Sequence, residues 1–167
     1  MKSILKPVPK PKNERKERKR LEKELEAAVK AIISWRDGGC VEREVDGGRC
    51  GGRLGWGHIV PQKRSYWLRY SLGNVCVQCA AHNKLHDLGD LTYLNWVKRF
   101  FGTDYQDKLQ AEVDAHKGKR QIPAELGNML MDYDVLLAQA AAMPFYTMVK
   151  LKEYGYYGDL VKERMSR

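Results

Sequence analysis

Four cysteines and three of the four histidines fall between residues 40 and 86: Cys40, Cys50, His58, Cys76, Cys79, His82 and His86. No other feature restricts the fold so strongly. Thiols crowded into one short window either pair as disulfides or gather around a metal, and both outcomes tie distant backbone segments together. Met1-Lys2 is not followed by an apolar signal core, and no apolar run approaches the length of a membrane span. The chain is therefore expected in a reducing cytoplasm, where clustered thiols favour a metal over disulfides. The alternative is a set of buried thiols without ligands. Five side chains compete for four tetrahedral corners: Cys40, Cys50, Cys76, Cys79 and His82. Spacing alone selects the four cysteines, with Cys76-x2-Cys79 as a knuckle. A closed N/S set of this kind suits structural Zn²⁺, which would fasten a hairpin to a helix.

Charge gives a second constraint. The chain carries 30 Lys and Arg against 21 Asp and Glu, a formal net charge of +9, which favours polyanionic partners through phosphate neutralisation. Residues 1–20 hold nine Lys or Arg, three Pro and two Glu, and read as a disordered basic arm able to track phosphates. Pro61–Arg69 reads as a basic-aromatic loop in which Lys63, Arg64 and Arg69 are candidate DNA contacts, the alternative being a solvated loop.

Hydrophobic periodicity supplies the scaffold. Leu21, Leu25, Ala28, Ile32 and Trp35 form one stripe of a helix over about 13–35, closed by Asp37-Gly38-Gly39. A hairpin turning at Asp46-Gly47-Gly48 is expected next. A strand at Trp56–Val60, a short strand at Asn74–Val77 and a helix opening near Cys79 should follow. Helices are expected over Leu91–Phe101, from a Thr103/Gln106 capping box carrying Tyr105, Leu109 and Val113, and from Pro123 with Leu126, Leu130, Tyr133, Leu137 and Ala140. Pro144 ends the last. His116 is expected as a surface helix residue without a special role. The division is an arm (1–20), a central domain (21–143) and a C-terminal helical extension (144–167).

Gly57-His58-Ile59-Val60-Pro61, Asn74, Cys79, His82, Asn83 and His86 follow one another at offsets that resemble the HNH nuclease family. Ala27–Ile33, Arg36-Asp37, Leu68-Arg69-Tyr70 and Gln78-Cys79 extend the likeness to the lambdoid NinG (Rap) recombination nucleases of bacteriophages, over roughly two thirds of the chain. The resemblance implies an α+β fold, a zinc-stabilised ββα-metal (HNH) core embedded in a mainly helical shell. It implies cutting of branched DNA (Holliday junctions, D-loops) with Mg²⁺ or Mn²⁺ inside a bacterial host. His58 would be the general base, Asn74 would hold the strand–loop geometry, and Asn83 would ligate the catalytic cation. The family offsets pick Cys40, Cys50, Cys79 and His82 for zinc and leave Cys76 out. His86 and Asp87, three and four residues after Asn83, are further candidates for the catalytic cation by helix spacing. Most HNH enzymes carry a second metal ligand just before the base, where this chain has Gly57.

Two other classes stay open at this stage. One is a zinc-stapled DNA-binding module without catalysis, which Gly57 favours. The other is a protein-interaction scaffold whose metal site is architectural. A homodimer would suit symmetrical cutting of four-way junctions, and no membrane association is expected.

Overall fold

The computed structural model describes residues 11–44, 50–88 and 91–142. The first ten residues of the expected arm, the Asp46-Gly47-Gly48 turn and the 144–167 extension lie outside them. Helix α1 (Pro11–Asp37) opens on Pro11, whose fixed φ and missing N–H suit a first turn. It closes at Gly38, which adopts φ +66° while its N–H bonds Ser34 C=O at 3.1 Å. Residues 11–20 thus belong to a helix, which corrects the expectation of disorder for that half of the arm. Ion pairs one turn apart (Arg18–Glu22, Arg20–Glu24, Glu26–Lys30) favour helix there over disorder, at a few tenths of a kcal/mol each.

A 3₁₀ turn (Val41–Glu44) leads toward strand β1 (Leu54–His58), which pairs antiparallel with β2 (Val75–Cys79). Helix α2 (Ala80–Asp87) follows β2 directly. Three more helices complete the chain: α3 (Thr92–Phe101), α4 (Tyr105–Ala115) and α5 (Pro123–Ala142). The molecule is a mainly helical α+β fold around a two-stranded sheet. No helix among the described residues is long and apolar enough to cross a membrane.

All five residues of β2 are buried, because helices cover both its faces. Val75 and Val77 join Leu21, Leu25, Val29, Ile32 and Ile33 of α1 with Leu126 and Tyr133 of α5. On the opposite face Cys76 joins Tyr93, Trp96 and Val97 of α3 with Tyr105, Leu109 and Val113 of α4. The stripes expected in α1, α4 and α5 are thus the surfaces that bury the sheet. Each large aliphatic side chain sunk there contributes about 1.5–3 kcal/mol. The outer edge of β2 is closed by the end of α1. Arg36 donates to Leu72 C=O and Val75 C=O, both at 2.8 Å, and Asp37 accepts from Val77 N–H at 2.8 Å. Two side chains replace a third strand and leave no open edge there.

Local details differ from expectation. β1 stops at His58 because Val60 leaves the ladder: its N–H and C=O both bond the Asn74 side-chain amide, at 2.7 and 3.0 Å. The Thr103 cap does not form. Asp104 takes the N-cap position of α4 in αR geometry, with its carboxylate 2.9 Å from Lys108 Nζ. His116 stacks flat on Trp67, with centroids 4.0 Å apart and planes 8° from parallel, so it pins the 61–69 segment to the end of α4.

Candidate metal centre and hydrolytic site

Cys40 lies just past α1, Cys50 in the segment entering β1, Cys79 at the end of β2, and His82 one turn into α2. Their ligand atoms all lie within 4.8 Å of one another. His82 Nδ1 is 3.3, 3.8 and 3.2 Å from the Sγ atoms of Cys40, Cys50 and Cys79. A tetrahedral ion with Zn–S near 2.3 Å and Zn–N near 2.0 Å would set these separations at roughly 3.5 Å. The donor chemistry and the spacing both fit a metal ion such as zinc. Backbone N–H groups point at the sulfurs: Cys79 N–H at Cys40 Sγ (3.3 Å), and Gly51 N–H and His82 N–H at Cys79 Sγ (3.4 and 3.5 Å). Burial pushes the Cys40 thiol up to about 12. Burial also opposes ionisation of Cys79, but the His82 and Gly51 N–H donors together with the Cys40 thiol and the His82 ring outweigh it and bring that thiol down to about 7. One ligand is thus close to its metal-binding thiolate form at neutral pH.

Cys76 is not in the cluster. It is 1% exposed and its Sγ lies 3.1 Å from Tyr93 Oη. The reason is strand parity: within β2, residues three apart project to opposite faces, so Cys76 and Cys79 cannot close one site. The spacing-only choice of four cysteines, and Cys76 as a substitute ligand, are corrected on this point.

His58 ends β1 with its imidazole half-buried beside Trp56, ring centroids 4.9 Å apart. Its Nε2 lies 3.0 Å from Arg69 C=O, which can only accept, and 3.3 Å from the Gln62 side-chain amide nitrogen; the shorter contact assigns the hydrogen to Nε2 and leaves the Nδ1 lone pair free. Burial pulls the imidazole down to about 4, against the support of that bond. Burial thus favours the neutral imidazole at His58. Asn74, fully buried, holds the surrounding loop through Val60 and a further bond to Leu68 C=O at 3.1 Å. In a histidine NMR titration, the His58 ring should stay neutral as the Nε2–H tautomer from pH 8 to 5.5. An unperturbed imidazole would titrate near 6.5 over the same range.

Gly57 faces Gln78 across the sheet. A Cβ built on Gly57 would lie 1.5 Å from Gln78 Oε1 and 2.4 Å from its Cδ, so no larger residue fits while Gln78 stays in place. Gln78 is fixed: it is 1% exposed and donates from Nε2 to the buried Glu42 carboxylate at 2.7 Å. Its Oε1 is buried without a hydrogen-bond partner among the described residues. Gly57→Ala should destabilise the fold by about 1–3 kcal/mol through overpacking. In a Gln78→Ala background that added cost should fall toward zero, which a double-mutant cycle by denaturant unfolding measures.

The other site residues are dispersed. Asn83 opens onto a cleft of about 510 Å³ whose walls include Lys30, Arg53, Gly55, Trp56 and Gln78. His86 does not line this cleft; its ring rests edge-on against Tyr93, with centroids 4.5 Å apart. The side chain of Asp87 lies outside the described residues. No second group of three or more His, Cys, Asp or Glu side chains gathers among the described residues. Lys63 is exposed, Arg64 bonds Gln110 of α4, and the Arg69 guanidinium lies over the Tyr70 ring at 5.1 Å.

Sequence reading missed Gln78, Glu42, Arg36 and Asp37 as partners of the site. Only the Arg36-Asp37 and Gln78-Cys79 pairs carried a signal, as parts of the family likeness. Glu42 carried none, since its partner lies 36 residues away. No family model, no curated protein and no solved structure matches this chain.

Proposed function

We propose that the chain is a metal-dependent DNA endonuclease of the HNH (ββα-metal) type, with His58 as general base and a structural zinc on Cys40, Cys50, Cys79 and His82. The observation that carries this reading is the setting of His58: its Nε2 3.0 Å from Arg69 C=O, its ring at the end of β1, on a loop locked by Asn74. Phosphodiester hydrolysis needs a positioned base of this kind to take a proton from water as its oxygen attacks phosphorus. Nδ1 is the atom available to receive that proton. A divalent cation such as Mg²⁺ or Mn²⁺ would supply charge stabilisation at the phosphoryl and leaving oxygens. Of its candidate ligands whose side chains are described, Asn83 lines the open cleft and His86 does not, and Lys30 and Arg53 on the same walls provide positive charge for phosphates. His86 and Asp87 remain candidates of this proposal by helix spacing. The bacteriophage setting, the bacterial cytoplasm, branched substrates and a homodimer that cuts them symmetrically belong to the same proposal. Cleavage of linear, nicked, flapped and four-way DNAs with several divalent ions tests it, and preference for the four-way substrate is the result expected.

One observation favours a second reading, a non-catalytic zinc-stapled DNA-binding module. The place of the usual second metal ligand is held by Gly57 and filled by the Gln78 side chain. Full DNA affinity without cleavage under any divalent ion would select it.

A further inference from the structure

A second cavity, of about 180 Å³, lies between the N-terminal part of α1, the turn that ends at Tyr70, and the approach to α5. That is several times the ~30 Å³ share of one liquid water, room for a tetrahedral oxyanion. Its walls carry three arginines, Arg18, Arg69 and Arg120, against one carboxylate, Glu22. Glu22 is taken by Arg18 at 3.1 Å, and Arg18 also donates to Gln121 C=O. Arg120 lies over the Tyr66 ring, 3.9 Å from its centroid. Two of the lining residues each carry a buried side-chain group with no hydrogen-bond partner among the described residues, Arg69 Nε and the Tyr70 hydroxyl. Tyr70 itself is only 2% exposed.

The two unmet groups decide what could bind. A buried polar group left unpaired costs about 1–3 kcal/mol, so two such groups on adjacent lining residues mark a place suited to an absent partner. Arg69 Nε–H can only donate. The Tyr70 hydroxyl is held protonated, because burial pushes it up to about 12. An excess of guanidinium over carboxylate excludes a cation and favours a ligand that accepts several hydrogen bonds at once. Arg69 also lends its carbonyl to His58 at 3.0 Å, so the residue that would hold the ligand also touches the proposed base.

We infer that Arg69 Nε–H and the Tyr70 hydroxyl, with Arg18 and Arg120 around them, bind a phosphate group, which rests on the nuclease reading for its source: a backbone phosphate flanking the cut.

The test uses the ¹⁵N-labelled full chain titrated with inorganic phosphate against chloride of equal ionic strength, following arginine Nε–H signals. The Arg69 signal, identified by its loss in Arg69→Lys, should shift and saturate. Tyr70→Phe, which keeps the ring, should weaken phosphate about tenfold, as expected for one hydrogen bond to a charged group. Arg120→Ala, a change at an exposed residue that leaves folding intact, should weaken it several-fold. Affinity for a short duplex, measured without added divalent ions, should fall in parallel in both variants, and the slope of log K against log salt should flatten by about 0.9 per lost phosphate contact. No saturable shift in the wild-type chain overturns the pocket, whatever the cleavage assays show. Phosphate binding with unchanged DNA affinity in both variants overturns the nucleic-acid source and leaves a free-phosphate site. Parallel losses in a protein that cleaves nothing sustain the pocket and sink the nuclease reading instead.

Discussion

Cys79→Ser is expected to emerge from purification without bound metal and with most of its folding stability gone, while Cys76→Ser keeps both. Cys79 does three things at once. It ends β2, caps α2 by accepting from His82 N–H, and places its sulfur 3.2 Å from His82 Nδ1. A metal held by the four ligands would tie four segments of the chain together, so its binding energy would be largely folding energy. Elemental analysis of wild type should find about one zinc per chain, and chelation should lower the melting temperature of wild type but not of Cys79→Ser. Cys76→Ser loses only a thiol contact with Tyr93, away from the cluster. Metal retained by Cys79→Ser, or lost by Cys76→Ser, would show that the ligand set is wrong.

The scaffold was legible where one surface had one job. The stripes of α1, α4 and α5 were readable because each faces a single core, and Leu25, Leu109, Leu126 and Tyr133 are all buried to 1% or less. The ligand set was legible only through the family resemblance, since spacing alone selected Cys76 in place of His82. What stayed hidden depends on register. Ile59-Val60 has the β-branched character of a strand, yet the Asn74 amide takes both polar groups of Val60 and ends β1 early. Gly57 looked like a missing ligand; its constraint by Gln78 appears only when β1 and β2 are paired with Gly55 opposite Gln78. The phosphate pocket draws on α1, a central turn and the approach to α5, and no local pattern links residues 18, 69 and 120.

His58→Ala is expected to abolish cleavage, by at least about 10²–10⁴-fold, while leaving DNA affinity within a few-fold. The base acts on the proton of the attacking water, a contact made in the transition state and absent from ground-state binding. Fold disruption is separable from this loss, because Asn74, not His58, supplies the bonds that hold residues 60–68. An unchanged melting temperature with no activity is the signature of a lost base. The acid side of the wild-type profile gives a second check. With the imidazole drawn down to about 4, activity should not fall through the usual histidine range near 6.5, since the base is already deprotonated there.

The most direct measurement is nicking of supercoiled plasmid at neutral pH by the wild-type chain and by His58→Ala, each with Mg²⁺, with Mn²⁺ and with neither. Metal-dependent conversion to nicked circles by the wild type, absent in His58→Ala at equal DNA occupancy, is the predicted result. Cleavage by His58→Ala at the wild-type rate, or no nicking by a zinc-loaded wild type under either ion, would contradict it.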